Sequence, residues 1–138
     1  MFEKFSEKSI KLVFKAQEEA RLLNKNIVNT EHLLLGLIQI NDEAVSLILN
    51  SNGITLQKLR NETKLVTKMG NGFVSTEIPF SDCVKNVFSL AEIYARGHKN
   101  IEPKHIFKAI LHYKEKDNAA LKILKNFDIK TDEIEENL

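Results

Sequence analysis

The chain repeats itself at a spacing of 75 residues, and no other feature restricts its fold as much. FSEKSIKLVFKAQEEAR aligns with FSDCVKNVFSLAEIYAR, so that Phe5 falls on Phe80, Ser6 on Ser81, Ala16 on Ala91, Ala20 on Ala95 and Arg21 on Arg96. The spacing slips to 74 at Asn26/Asn100 and Ile27/Ile101 and to 73 at His32/His105. It returns to 75 at Ala44/Ala119, Leu49/Leu124 and Ile54/Ile129. The slips fall between periodic segments, where loops tolerate changes of length, and chance identities do not return to one spacing. The chain therefore reads as two copies of one unit.

Each copy predicts four short helices. In the first, Ser6 is placed to cap a helix with Glu7 in its first turn, and Ile10, Val13, Phe14, Ala16, Ala20 and Leu23 recur at helical spacing. Thr30 is expected to cap a second helix with Glu31 at its positive end and Leu33, Leu34, Leu37 and Ile38 inward. Asp42 is expected to cap a third, stopped by Asn52-Gly53, and Thr55 a fourth. In the second copy Ser81 caps, Gly97 ends the helix, Pro103 takes a first-turn position where its missing N–H costs nothing, and Asp117 and Thr131 cap the last two helices. Gly70, Gly72 and Pro79 mark the stretch between the copies as a partly extended linker. The expected fold is all-α: two tandem pseudo-symmetric four-helix repeats, about eight helices, with residues 1–67 as first repeat, 68–79 as a more mobile outer linker and 80–138 as second repeat.

Composition removes several function classes. Lys and Arg number 20 and Asp and Glu 19, for a net charge of +1. Split at Lys68, the halves carry 10 basic and 8 acidic residues, then 10 and 11, so neither has the electrostatic footprint of a nucleic-acid binder or of a protein drawn to an anionic membrane. The single cysteine, Cys83, leaves no internal disulfide framework and no multi-cysteine zinc site. The longest apolar run, Leu33–Ile38, is far shorter than the roughly 20 residues of a membrane span. The charged start MFEKFSEKSIK lacks the apolar core of a signal peptide. A soluble protein of a reducing compartment is expected.

The string AQEEARLLNKNIVNTEHLLLGLI (Ala16–Ile38) and the linker GFVSTEIPF (Gly72–Phe80) resemble the amino-terminal repeat domain of Clp ATPases, nearest to the ClpC type of bacteria and plastids. The resemblance covers essentially the whole chain. It departs in the second half, where the family repeats a GTEHLLLGLI-like segment and this chain reads EPKHIFKAIL (Glu102–Leu111) after a loop two residues shorter. The resemblance implies a non-catalytic docking domain. Such a domain receives adaptor proteins and protein substrates for an AAA+ ring and the Clp protease core, either as part of a ClpC-type ATPase or as a stand-alone accessory subunit. It implies no cofactor, no nucleic acid and no membrane among the partners. The GxxxxGK[ST] phosphate loop of an ATPase is absent from the chain. The polar close IKTDEIEENL is compatible with a natural terminus. Plentiful Ile (14) and Asn (13) hint at an AT-rich genome. With the ClpC likeness and no transit-peptide composition, this suits a bacterial cytoplasm or the stroma of a plastid that encodes the protein.

Candidate chemistry starts with the helix starts. Ser6, Thr30, Ser81 and Thr131 each offer a cap beside exposed N–H groups, which can bind anions. Glu31 is favoured at its helix start by the dipole. By resemblance, the Glu of the NTEH segment (Asn29–His32) recognises a guanidinium group, including that of phosphorylated arginine, while the second copy has Lys104 there. Asn29 stands where the family has glycine. If the helix start at Ser6 and the Glu31 carboxylate lie together, they form one bipolar site, with a phosphate on the N–H groups and a guanidinium on the acid. Phe5 and Phe80 precede caps and suit hydrophobic staples, and Phe2 has no such duty. By resemblance, Phe2 and Phe80 border a hydrophobic partner-binding surface. Two alternatives come from other classes. One is a small all-α metal-dependent enzyme using His105, His112 and Glu102, for which neither HExxH nor a completing ligand at helical spacing is present. The other is a helix-turn-helix-like nucleic-acid binder, which the charge balance disfavours. Cys83 in a helix's first turn is expected to be a buried or incidental thiol rather than a nucleophile, and Glu18-Glu19 a solvated face.

Overall fold

The computed structural model describes the chain except for residues 1, 69, 71–73, 75 and 137 and the side chains at 135 and 136. Among the described residues there are eight helices: α1 (Glu7–Leu22), α2 (Thr30–Gln39), α3 (Glu43–Ser51), α4 (Leu56–Thr67), α5 (Asp82–Tyr94), α6 (Pro103–His112), α7 (Ala119–Asn126) and α8 (Thr131–Glu136). The all-α expectation holds.

Local capping signals operate as read at four helices. The side chains of Ser6, Asp42, Thr55 and Ser81 accept from the N–H groups of Ser9, Val45, Lys58 and Val84. Three caps are displaced by one residue. The residue before α2 is Asn29, whose N–H donates to His32 Nδ1 at 2.9 Å. Thr30 is thus inside the helix, and its hydroxyl accepts from Ala120 N–H at the start of α7. Asn118, not Asp117, caps α7. Its amide accepts from Leu121 N–H while donating to the carbonyls of Ile110 and Tyr113, a double duty no carboxylate can perform. Thr131 is likewise the first residue of α8 rather than its cap.

The two sets of four helices interlock rather than stand side by side. The strand-like entry to α1 bridges in parallel to Ile101, before α6: Ser6 N–H donates to Ile101 O at 3.1 Å and Ile101 N–H to Lys4 O at 2.7 Å. The entry to α5 does the same with Val28, before α2: Ser81 N–H donates to Val28 O at 3.0 Å and Val28 N–H to Pro79 O at 2.8 Å. Val28, not Ile27, is therefore the counterpart of Ile101. Helix packing crosses in the same way, with α7 on α2 and α3 on α6. One apolar core results, with Leu33, Leu34, Leu35, Phe107, Ile106 and Ile110 fully buried.

The inner face of α1 is Ser9, Leu12, Val13, Ala16, Glu19 and Ala20, whereas Ile10 and Phe14, expected inward, are exposed. The reason is the close approach of α2 at Gly36. A Cβ there would lie 2.7 Å from Leu12 O and 2.8 Å from Leu12 Cδ1, so the stripe of small residues faces inward and the bulky one is left out. Glu19, read as solvated, is buried and holds Arg60 of α4 through two hydrogen bonds, Nε–Oε1 at 2.7 Å and a second to Oε2 at 2.9 Å. Glu18 stays exposed. The linker is not wholly external, since Ile78 is buried in the core. Much of the segment expected to be mobile lies outside the described residues.

Candidate docking sites

The crossed bridges decide which helix start meets Glu31. Ser6 sits beside Ile101, and its neighbour Ser9 donates from Oγ to Ile101 O at 2.7 Å. Ser81 sits beside Val28, three residues before Glu31. The start of α5, rather than that of α1, therefore adjoins the NTEH segment. The start of α7 joins them through Thr30 and Ala120. Thr30 and Glu31 lie where three helix N-termini meet, each with a partial positive charge, although the first three N–H groups of α7 are already taken by Asp117, Thr30 and Asn118.

Within this junction Glu31 is 3% exposed and its Oε1 has no hydrogen-bond partner. Burial raises its pKa above the ordinary carboxylate value, against a lowering by its backbone hydrogen bond and by Lys25. A buried carboxylate oxygen without a partner is costly, so natural structures seldom keep one without use. Cys83 is also buried here. Its thiol is pushed up to about 12, first by burial and then by Asp117, Glu31 and Glu115. Desolvation thus overrides the helix start that would lower a thiol's pKa, and Cys83 is no nucleophile at neutral pH.

His32 shows the opposite balance. It is fully buried, its Nδ1 accepts from Asn29 N–H, and burial followed by Lys25 lowers its pKa to about 4. Because the folded value lies below the unfolded one near 6.5, the contribution to stability is complete above that pH and is lost as pH falls toward 4. The loss is expected to reach about 3 kcal/mol. Denaturant unfolding at stepped pH would read it, and a His32→Gln variant should flatten that part of the profile. His105 repeats the local device, its Nδ1 accepting from Glu102 N–H, and its pKa is also lowered, first by burial.

The aromatic residues gather into a second site. Phe2, Phe5, Phe80 and Phe88 make five edge-to-face contacts with centroids 5.0–5.9 Å apart. Phe5 is buried, while Phe2 and Phe80 are only partly so. Phe5 packs on Phe2 and Phe88 across the two helix sets, beyond the staple expected for it. A cleft of about 370 Å³ opens beside Phe5 and Phe88, with Lys85, Ser89, Glu92 and Ile101 in its walls. Rigid aromatic edges next to polar walls suit an apolar side chain delivered by a peptide.

The histidines do not converge. His105 stacks edge-on with His98, while His112 Nδ1 meets the Tyr94 hydroxyl. Among the described residues no group of three His, Cys, Asp or Glu side chains could hold a metal ion.

The Clp repeat (R) N-terminal domain family matches residues 4–127. The chloroplastic chaperone protein ClpC of Pisum sativum is 41% identical over 128 residues, covering 91% of this chain and 14% of that protein. The Clp protease ATP-binding subunit ClpA homolog of Guillardia theta is 40% identical over 128 residues, covering 91% of this chain and 15% of that protein. The chain thus spans about a seventh of the length of these relatives. The N-terminal domain of the chaperone ClpD from Arabidopsis thaliana superposes with a TM-score of 0.80 at 30% identity, over 99% of this chain and 96% of that one. The Hsp104 N-terminal domain of Candida albicans shares the fold, with a TM-score of 0.76 at 19% identity, over 98% and 89% of the two chains. With its interlocked helices and a match over nearly its whole length, the chain belongs to the Clp repeat N-terminal domain family.

Proposed function

We propose that this chain is a non-catalytic docking domain of a Clp system. It receives adaptors and protein substrates for a Clp ATPase ring and its protease core, and it works in the stroma of a plastid. Family membership supports the docking role, and the chloroplastic relatives support the compartment. The observation that carries the reading is the buried Glu31 carboxylate, whose Oε1 has no partner, at the meeting of three helix starts. The acid pairs with a guanidinium, and the N–H groups at the start of α5 hold a phosphate, so one phosphoarginine side chain satisfies both. Ser81 takes the part first expected of Ser6, and Thr30 positions the start of α7. Because Oε1 is sealed from water, a ligand reaches it only after a local opening at the start of α2. Phe2 and Phe80 serve a second contact with apolar side chains of a partner.

Lys104, at the position of Glu31 in the second set, would repel a guanidinium, so one such site is expected. Calorimetric titration with a phosphoarginine peptide tests this. Binding by the parent chain, weakened about ten- to a hundredfold by Glu31→Ala and unchanged by Lys104→Ala, is the expected result. Equal losses in both variants, or no binding by the parent, would sink it.

A further inference from the structure

We propose that the groove at the start of α7 is a docking surface for an acidic protein segment. This surface is separate from Glu31 and from the aromatic cluster, and it does not rest on the phosphoarginine reading. The groove holds about 420 Å³. Lys114, Lys116, Lys122 and Lys125 stand around it, Leu121 contributes an apolar floor, and among the described residues Glu115 is the only acid in its walls. Lys122 and Lys125 are three apart on α7 and share a face. Lys114 reaches Asp132 at 3.4 Å. Lys116, Lys122 and Lys125 take part in no ion pair among the described residues. The groove therefore carries an uncompensated positive charge on a chain whose net charge is only +1.

The other helix set supplies an internal control. At the 75-residue spacing α3 carries Leu47 and Asn50 where α7 carries Lys122 and Lys125, and the loop before it reads Ile40-Asn41-Asp42, with no cation. A helix in this place folds without lysines. Solvation does not demand them either, since Leu47 is 70% exposed and apolar.

The chemistry of the groove selects the partner. Ammonium groups are point charges without the fork that arginine offers a phosphate. Among the described residues no aromatic side chain lines the groove, so nucleic-acid bases have no stacking platform there. Several mobile ammoniums over a leucine floor instead fit a short run of Asp or Glu side chains with an aliphatic residue among them, held by complementary charge.

The test is fluorescence anisotropy of a labelled polyglutamate peptide containing one leucine, with circular dichroism to confirm folding. The parent chain should bind it, more weakly as salt rises. Lys122→Glu with Lys125→Glu should weaken binding about tenfold or more. Leu47→Glu with Asn50→Glu, which also adds acid to the equivalent α3 face, should leave it within about twofold. Absence of binding by the parent, or equal loss in both double variants, would overturn the proposal. Tighter binding of a single-stranded oligonucleotide of matched charge would overturn it in favour of a nucleic-acid site.

Discussion

Replacing Arg60 by alanine should lower the unfolding free energy by about 3 kcal/mol, and Glu19→Ala should cost distinctly less. The asymmetry follows from where each charge lies. The Glu19 side chain is 4% exposed and that of Arg60 34%. Without Arg60, the carboxylate remains in the core with both oxygens unpaired. Without Glu19, the guanidinium can turn toward water. Converting the pair to Glu19→Leu with Arg60→Met should recover most of the loss, because apolar packing of similar volume avoids the desolvation that the ion pair only offsets. Urea unfolding of the three variants checks this. A larger loss from Glu19→Ala than from Arg60→Ala would show that the pair is worth its charge–charge attraction rather than the avoided penalty.

Glu31→Gln should act in opposite directions on stability and binding. At pH 7 the folded chain should gain about 1 kcal/mol, because a buried charge with one oxygen unpartnered leaves the interior. The sign follows from the raised folded pKa. Relative stability from Glu31 is present below the unfolded value of 4.5 and is lost as pH rises through the folded value. The gain in the variant should therefore vanish in acid, the reverse of the His32 trend. Affinity for a phosphoarginine peptide should fall about ten- to a hundredfold, since the neutral amide forfeits the charge-assisted pair with the guanidinium. A lower melting temperature at pH 7 with no loss of binding would mean that Glu31 only steadies the start of α2 through the helix dipole. A site residue that costs stability when empty and contributes it when occupied is the expected signature of a receptor position.

The helices were legible because their signals are local. A Ser, Asp or Thr side chain reaches the N–H three residues on, and the glycine past α3 takes the positive φ (71°) that ends it. The duplication was legible because equal folds keep equal spacing. The same locality misplaced Thr30, Asp117 and Thr131 by one residue, and before α7 the neighbouring asparagine bonds to groups a lone cap rule does not see. For Asn118 these are the carbonyls of Ile110 and Tyr113, up to eight residues away.

Burial and pairing were decided elsewhere in the chain. Periodicity placed Ile10 and Phe14 inward with Val13, but the contact of Gly36 with Leu12 chose a stripe rotated away from them. Glu19 shares the inward face of Ala16 and Leu23, but the guanidinium that lets its charge stay there belongs to Arg60, 41 residues on. Ser6 and Ser81 are equivalent letters in equivalent segments. Hydrogen bonds to Ile101 and Val28 send each to the opposite half, so that Ser81 and not Ser6 adjoins Glu31. A one-dimensional pattern carries cap and period because both act within a turn. The partner of a buried charge is set by elements 40 to 90 residues away, and there only the packed structure has an answer.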